Sequence, residues 1–199
     1  MNTKITRPRG RPRVFDPQEA LTLGQRLFHA QDYESVGLAT LTEQLGIKPP
    51  SFYRVFESKL GFFEKVLARY TAETLPLEEI LRSGRTPAEA LSELLERAAQ
   101  AYSADPEARG CLVLESARGS DNAENVRMAR AVAERRRAIL RDFVAATHPK
   151  QADVVTDFIT STMSGLSASA RQGMEEERLL AVAKAAAAAL DPLIGQRPR

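Results

Sequence analysis

The chain has 199 residues, of which 43% are hydrophobic and 27% charged, a composition typical of a globular protein with one large core or two small ones. Its single cysteine, Cys111, excludes an intramolecular disulfide, and no apolar stretch is long enough to cross a bilayer. The basic N-terminus is followed by Asp16, Gln18 and Glu19 rather than by the apolar run of a secretory signal. We therefore expect a cytoplasmic protein.

The net charge of +2 conceals an uneven distribution. Residues 1–70 carry eleven Lys and Arg against seven Asp and Glu, whereas residues 71–199 carry seventeen against nineteen. The segment 1–15 begins with thirteen residues that include no acid. A basic arm ahead of a basic module is suited to binding phosphates, although a solvated, disordered tail is the alternative.

Apolar residues recur at helical spacing almost throughout, and no segment alternates as a strand does. Asp16 and Pro17 are typical of a helix start, Gly46 of a helix end, and Ser58 of the cap of a fourth helix that we expect to reach about Arg82. Together these signals predict an all-α protein of about nine helices. The expected ranges are about 17–31, 38–45, 49–56, 59–82, 87–103, 106–117, 122–147, 150–172 and 175–191.

The third of these helices is short and has two unlike faces. Phe52 and Phe56, four residues apart, can anchor it from behind, which leaves an aromatic hydroxyl, a guanidinium and two rigid proline rings outside. Such a face suits a recognition helix that enters a major groove by its N-terminal end. Arg54 can fork onto guanine, and Tyr53 is better suited to a phosphate oxygen. The candidate DNA contacts of this unit are Thr40, Lys48, Pro49, Pro50, Ser51, Tyr53, Arg54 and Lys59.

Lys59 is a lysine in the first turn of a helix, where the helix dipole favours anions. A DNA phosphate at this helix start would explain it, because the phosphate would use both the free N–H groups and the ammonium. The alternative is an ordinary solvated charge.

Five short patterns occur together between Ala20 and Val66. They read Leu27-Phe28, Asp32-Tyr33, the two-helix unit from Leu38 to Leu45, Gly46-Ile47, and the aromatic signature FYRVFESK of residues 52–59. This segment resembles the DNA-binding domain of the TetR family of transcriptional regulators. The sequence departs from the family pattern at two places, which affects the expected base preference but not the binding mode. Asp32 stands where the family usually has glycine, and Pro49-Pro50 replaces the commoner Ser-x start of the recognition helix.

The resemblance implies a helix-turn-helix DNA-binding domain at residues 16–70 and a ligand-sensing and dimerisation domain at 71–199. It also implies a homodimer on a palindromic double-stranded operator, with repression relieved by a small effector. The arm at 1–15 would then place Arg9, Arg11 and Arg13 in a flanking minor groove. The fourth helix would act as the lever between the two domains.

The last two predicted helices carry apolar stripes beside small residues, which let helices approach closely. We expect them to pair across a two-fold axis, although a bundle within one chain would produce the same stripes. The candidate interface residues are Phe158, Ile159, Met163, Leu166, Leu179, Ala183 and Leu190.

The central helices are expected to enclose the effector pocket, with Tyr102, Cys111, Met128 and Phe143 as candidate lining residues. Gly110-Cys111 is similar to a stretch found in a TetR subgroup that responds to reactive electrophiles or copper, and residues 155–168 are similar to a copper-responsive repressor. A thiolate near methionine suits Cu(I) or an oxidant, with Met128, Met163 or His148 as possible further ligands. The alternative is that Cys111 is a small buried hydrophobe.

No motif supports an enzyme, because the sequence lacks HExxH, a phosphate-cradling glycine loop and clustered carboxylates with a base. No cofactor is therefore expected. Two alternatives to a ligand-responsive repressor stay open, namely a DNA-binding scaffold without a ligand and a transcriptional activator. One arginine-rich helix segment is interpreted as a solvated face, with Arg127, Arg130, Arg135, Arg136 and Arg137.

Overall fold

A computed structural model describes residues 15–195, and every regular element within that range is an α-helix. The helices are α1 (Pro17–Gln31), α2 (Leu38–Gln44), α3 (Pro49–Phe56), α4 (Lys59–Thr74), α5 (Leu77–Ile80), α6 (Pro87–Ser103), α7 (Leu112–Ser116), α8 (Glu124–Ala145), α9 (Ala152–Arg171), α10 (Glu176–Ala188) and α11 (Leu190–Ile194). We call α1–α3 the N-terminal unit and α6–α11 the C-terminal bundle. The all-helical prediction is confirmed, with two short helices, α5 and α11, that the periodicity did not predict.

The N-terminal unit starts where its capping residues indicate. The Asp16 carboxylate accepts the backbone N–H of Gln18 at 2.8 Å, with Pro17 in the first helical position. Gly46 has φ +64° in the turn after α2, a conformation in which glycine has no steric penalty. A short α3 follows, so that the two helices form the expected helix-turn-helix.

An aromatic cluster holds this unit on α4. The ring of Phe62 lies 5.3 Å from that of Phe52 and 4.6 Å from that of Phe56, measured between centroids. Gly24 allows the contact with α1, because a Cβ there would meet the Phe62 ring at 2.5 Å. Phe52 and Phe56 therefore anchor α3 from behind, as the sequence predicts.

Two predicted helices have different bounds in the structure. The fourth helix ends at Thr74 rather than near Arg82, because Pro76 lacks a donor N–H and disfavours helical geometry in the preceding Leu75. The helix expected from about residue 106 begins only at Leu112. Gly110 adopts φ +90° just before it, which interrupts a helical path. Cys111 therefore occupies the N-cap of α7 rather than a helix interior.

The C-terminal bundle is built around α6. Its residues Leu91, Leu94, Leu95 and Ala98 are buried, with α9 and α10 packed against it and α8 packed on α9. The helix α4 contacts α7 and α8 as well as α1. It therefore joins the N-terminal unit to the bundle, although it is shorter than expected. No described helix combines the length and the apolar character that a membrane span requires.

Candidate nucleic-acid interface and candidate ligand pocket

The outer face of α3 is free for a partner. Lys48, Pro49, Pro50 and Arg54 are exposed, Ser51 is half-buried, and Tyr53 is 47% exposed. Within residues 15–195, no hydrogen bond or ion pair occupies the side chains of Lys48, Tyr53 and Arg54. Thr40 lies half-buried on α2, on the preceding helix of the motif. The α3 candidates are thus accessible together at the surface of the helix-turn-helix. Arg9, Arg11 and Arg13 lie outside the described residues.

Lys59 is placed differently from the other candidates. Its Nζ donates a hydrogen bond to the carbonyl oxygen of Tyr33 at 2.5 Å and lies 4.0 Å from the centre of the Tyr33 ring. Partial burial lowers the pKa of Lys59. The ammonium therefore fastens the α1–α2 turn to the start of α4, a contact that the phosphate interpretation of the sequence did not include.

The same turn contains the first departure from the family pattern. Asp32 has φ +71° and ψ 166°, a region that glycine adopts far more easily than other residues. Its carboxylate accepts the backbone N–H of Ser35 at 2.9 Å, and that bond lowers the pKa of Asp32. The aspartate thus takes the glycine conformation and partly compensates with a side-chain hydrogen bond.

A central pocket of about 330 Å³ lies between α4, α6, α7, α8 and α9. Tyr102 and Cys111 line it, as expected, together with Met163, which the sequence analysis had assigned to a dimer interface. Met128 and Phe143 are not among its lining residues and pack against the apolar core instead. The prediction that these two line the pocket is therefore wrong, because periodicity cannot distinguish a cavity wall from a closed core.

Polar groups at the pocket come from α4, α6, α8 and α9 and from the N-cap of α7. The Tyr70 hydroxyl of α4 lies beside Cys111 and the backbone of Leu112, and burial raises the pKa of this phenol. The Tyr102 hydroxyl of α6 is buried beside the Cys111 thiol, and no nitrogen or oxygen atom of the described residues serves as its hydrogen-bond partner. Burial raises its pKa as well, and the neighbouring Cys111 adds to that shift. Both phenols are therefore neutral at physiological pH.

Arg136 of α8 was interpreted as part of a solvated face, and that interpretation is wrong. Its guanidinium lines the pocket and donates to the carbonyl oxygens of Leu75 at 2.7 Å and Thr71 at 3.5 Å, at the end of α4. Burial lowers its pKa. The signal that could have identified it is its position four residues after Val132 and four before Leu140, both of which are buried.

A polar joint connects the segment around Cys111 to the N-terminal unit. The Nε2–H of His29, a buried residue of α1, donates to the carbonyl oxygen of Gly110 at 3.1 Å. Arg171 of α9 donates to the carbonyl of His29 at 3.2 Å. On the other side, the backbone N–H of Cys111 donates to Ser167 Oγ at 2.9 Å. The residues flanking the thiol are therefore hydrogen-bonded both to the N-terminal unit and to the bundle.

The residues proposed for a dimer interface divide into two groups. Ile159, Leu179, Ala183 and Leu190 are buried in the subunit core, so that part of the prediction is wrong. Leu166 is nearly buried as well but lies at the floor of a surface groove. The stripe they form is the face of α9 and α10 that packs on α6. Phe158 instead lines an open groove between α9 and α10, the α9–α10 groove, whose other residues are Thr162, Gly165, Leu166, Ser169, Met174, Val182, Ala185, Ala186 and Ala189.

A metal site at Cys111 has few donors. No group of three His, Cys, Asp or Glu side chains is suited to a metal ion within the described residues. Of the further ligands considered, only Met163 lines the same pocket as Cys111. His148 pairs with the Thr147 hydroxyl at 2.8 Å and is not among the residues that line the pocket.

Comparisons with known proteins match these features. Residues 21–66 match the family model described as bacterial regulatory proteins, tetR family. The chain is 40% identical over 196 residues to the HTH-type transcriptional repressor BdcR of Escherichia coli (strain K12), covering 96% of this chain and 97% of BdcR. It is 29% identical to the repressor ComR of the same organism, covering 90% of each chain. Among solved structures, a cysteine mutant of the TetR family regulator CifR, complexed with 26-bp operator DNA, has a TM-score of 0.79 at 32% identity, covering 90% of this chain and 99% of CifR.

Proposed function

Because the chain belongs to the TetR family of bacterial transcriptional regulators, we propose that it represses transcription as a homodimer on a palindromic operator and is released by a small molecule in the central pocket. The chain is a DNA-binding transcriptional repressor and not an enzyme. The observation that carries the proposal is the free outer face of α3 above its buried Phe52 and Phe56.

We propose that Arg54 reads base edges and that Lys48, Tyr53 and the hydroxyls of Thr40 and Ser51 contact the backbone. The guanidinium is suited to a bidentate contact with guanine, whereas a single hydroxyl or ammonium positions the helix without reading sequence. Pro49 and Pro50 place rigid rings at the end of α3 that enters the groove. Lys59 contributes by holding the turn at Tyr33, and any contact with a phosphate would use its remaining N–H groups.

The test uses an operator located by genomic footprinting and fluorescence anisotropy with a labelled duplex. Arg54→Ala is expected to weaken binding by about 1–3 kcal/mol and to relax preference at one base pair of each half-site. Arg82→Ala removes an exposed arginine outside the N-terminal unit and serves as the matched control. An equal reduction of affinity in the two variants would contradict the assignment of α3 as the recognition helix.

The arm at residues 1–15 is proposed to add minor-groove and phosphate contacts through Arg9, Arg11 and Arg13. Deleting residues 1–13 should then weaken operator binding and flatten its salt dependence, by about one unit of slope for each phosphate that the arm neutralises. An unchanged slope would remove the arm from the interface.

We propose that the α9–α10 groove pairs with its two-fold copy. A single recognition helix reads too few base pairs to be specific, so a dimer is needed. The groove combines Phe158 and the half-exposed Val182 with glycine and alanine, which let helices from two subunits approach closely. The proposed dimer contacts therefore lie on the side of α9 and α10 that faces away from α6, and not on the apolar stripe that the sequence indicated.

The sequence suggested copper or an electrophile as the effector, because Cys111 is a thiol, but the pocket offers few further soft ligands. With Met163 as the one further soft donor at the pocket, the arrangement favours a small organic effector, or chemistry on the thiol itself, over a copper site. The pocket also favours a ligand-responsive regulator over a scaffold without a ligand. Cys111→Ser, tested for operator release by Cu(I) and by a thiol reagent, separates these cases. If both proteins release DNA equally, the thiol is not the sensor.

A further inference from the structure

The central pocket contains a partly buried positive charge, Arg136, without a carboxylate to balance it. Arg136 donates only to two backbone carbonyls, those of Leu75 and Thr71. Charges taken out of water are normally paired, because carbonyl dipoles replace only part of the solvation that water provided. The charge of Arg136 therefore needs an explanation beyond its contacts with α4.

The neighbouring groups do not provide the missing negative charge. Glu134 is the one carboxylate among the described residues that line the pocket, but it is exposed and makes no ion pair with Arg136. The next arginine, Arg137, is already paired with Asp157 at 2.5 Å. Tyr70 and Tyr102 are neutral because burial raises the pKa of each phenol.

A second group in the pocket lacks a partner independently of the charge. The hydroxyl of Tyr102, which is 0% exposed, has no nitrogen or oxygen partner within the described chain, and its polar neighbour is the Cys111 thiol, a weak hydrogen-bonding group. A buried hydroxyl is ordinarily hydrogen-bonded, and an orphan one usually has a functional reason. A ligand atom that accepts hydrogen bonds would satisfy it.

The remaining walls are mostly apolar, with Leu77, Leu94, Val113, Leu140 and Met163 among the lining residues. The cavity of about 330 Å³ is at the small end of the range of roughly 300–1,000 Å³ for ligand sites. The site therefore offers a compact, mainly apolar chamber with two arginines, of which only Arg136 lacks a carboxylate partner, and with the Tyr102 hydroxyl as a donor.

We propose that the central pocket binds a small, largely apolar monocarboxylate whose carboxylate contacts Arg136 and the Tyr102 hydroxyl. This inference rests on the proposed function, since it names the class of effector for the same pocket. The planar guanidinium is suited to a carboxylate, which it can bind through two N–H groups. A ligand that draws Arg136 inward weakens its bonds to Leu75 and Thr71, and so releases the end of the helix that carries the N-terminal unit.

The test compares acids with their neutral isosteres on the full-length protein. Benzoate, phenylacetate and octanoate are titrated by calorimetry against benzamide, phenylacetamide and octanamide. At least one acid is expected to bind at least tenfold more tightly than its amide and to release operator DNA in a parallel anisotropy titration. Equal affinities within every pair, or no binding of any acid at millimolar concentration, would overturn the inference.

Variants assign the effect to the two groups. Arg136→Gln is expected to abolish the preference for the acid, whereas Arg135→Gln, which changes an exposed arginine of the same helix that does not line the pocket, should preserve it. Tyr102→Phe is expected to weaken acid binding several-fold and to leave the fold intact. If Arg136→Gln fails to fold, this second variant still tests whether the acid binds in the central pocket. A preference that survives both Arg136→Gln and Tyr102→Phe would place the acid elsewhere and overturn the inference.

The outcomes also separate this inference from the proposed function. If the wild-type protein binds a palindromic operator but prefers no acid, the repressor function stands and the ligand class is wrong. If it binds no operator, the proposed function fails, while calorimetry still determines whether the pocket selects carboxylates.

Discussion

Replacing Tyr102 by phenylalanine should stabilise the protein, although it removes a polar group from a pocket. A buried hydroxyl without a partner gives up its hydrogen bonds to water on folding, at a cost of about 1–3 kcal/mol. Phenylalanine keeps the ring, which is fully buried on α6, and removes only that cost. We expect the free energy of unfolding to rise by about 1 kcal/mol, which corresponds to roughly 2–4 °C in Tm for a chain of this length.

Tyr70→Phe is the matched control for this prediction. Its hydroxyl lies at the same pocket but beside the backbone N–H of Leu112, a donor within its reach, so its removal should lower the free energy of unfolding by about 1 kcal/mol. Urea denaturation at one fixed protein concentration measures both variants, because dimerisation makes the midpoint depend on concentration. If Tyr102→Phe is destabilising to the same degree as Tyr70→Phe, then the Tyr102 hydroxyl has a partner and the reasoning fails.

Four further changes test other parts of the structure. Gly110→Ala should destabilise by at least about 1–2 kcal/mol in urea denaturation, because φ is +90° and the new Cβ would meet Arg171 Cγ at 2.7 Å; an unchanged midpoint would contradict this backbone conformation. Burial, aided by the charge of Arg171, lowers the pKa of His29 below its ordinary 6.5. Below pH 6.5 the unfolded chain therefore binds more protons than the folded chain, and the free energy of unfolding should decrease as the pH falls. His29→Gln should flatten this pH dependence, and an equally steep profile would contradict the role of His29. Glu57 has φ +63° and ψ −44° at a turn in which Ser58 N–H donates to the Phe56 carbonyl at 2.6 Å. Because glycine adopts this conformation without strain, Glu57→Gly should raise the free energy of unfolding, measured by thermal denaturation, by about 0.5–1 kcal/mol. A decrease would show that no strain is relieved. Val182→Glu in the α9–α10 groove should yield monomers by light scattering while Lys184→Glu, on the outer side of α10, stays dimeric; two dimers would exclude this groove as the interface.

The sequence predicted the N-terminal unit well because local chemistry determines it. Asp16 with Pro17, Gly46 and Ser58 each fix a helix end through a cap or a positive φ, and the structure places the ends accordingly. The same reasoning failed at Pro76, which was overlooked and which ends α4 early. It also failed at Asp105-Pro106, where a cap-like bond from Glu107 N–H to Asp105 forms at 2.9 Å but no helix follows.

The sites in the C-terminal bundle were harder to predict because they depend on which faces meet. On α9, Ile159 and Met163 belong to one apolar stripe, yet Ile159 lies in the core and Met163 lines the pocket. Hydrophobic periodicity identifies the apolar stripe of a helix but does not show which other helix, cavity or subunit that stripe contacts. His29 and Arg136 act through contacts with residues 81 and 61 positions away, Gly110 and Leu75, and no local pattern in the sequence indicates such pairs.

The hydrogen bonds that connect α1 and α4 to the rest of the subunit, His29 to Gly110, Arg171 to His29 and Arg136 to the end of α4, limit how strongly an effector can change operator affinity. A net hydrogen bond contributes about 0.5–1.5 kcal/mol, and one from a charged group about 1.5–3 kcal/mol. Breaking one or more of them can change operator affinity by roughly 5- to 150-fold, the usual range of allosteric coupling. We therefore expect graded derepression, with measurable occupancy of the promoter persisting when the inducer is saturating.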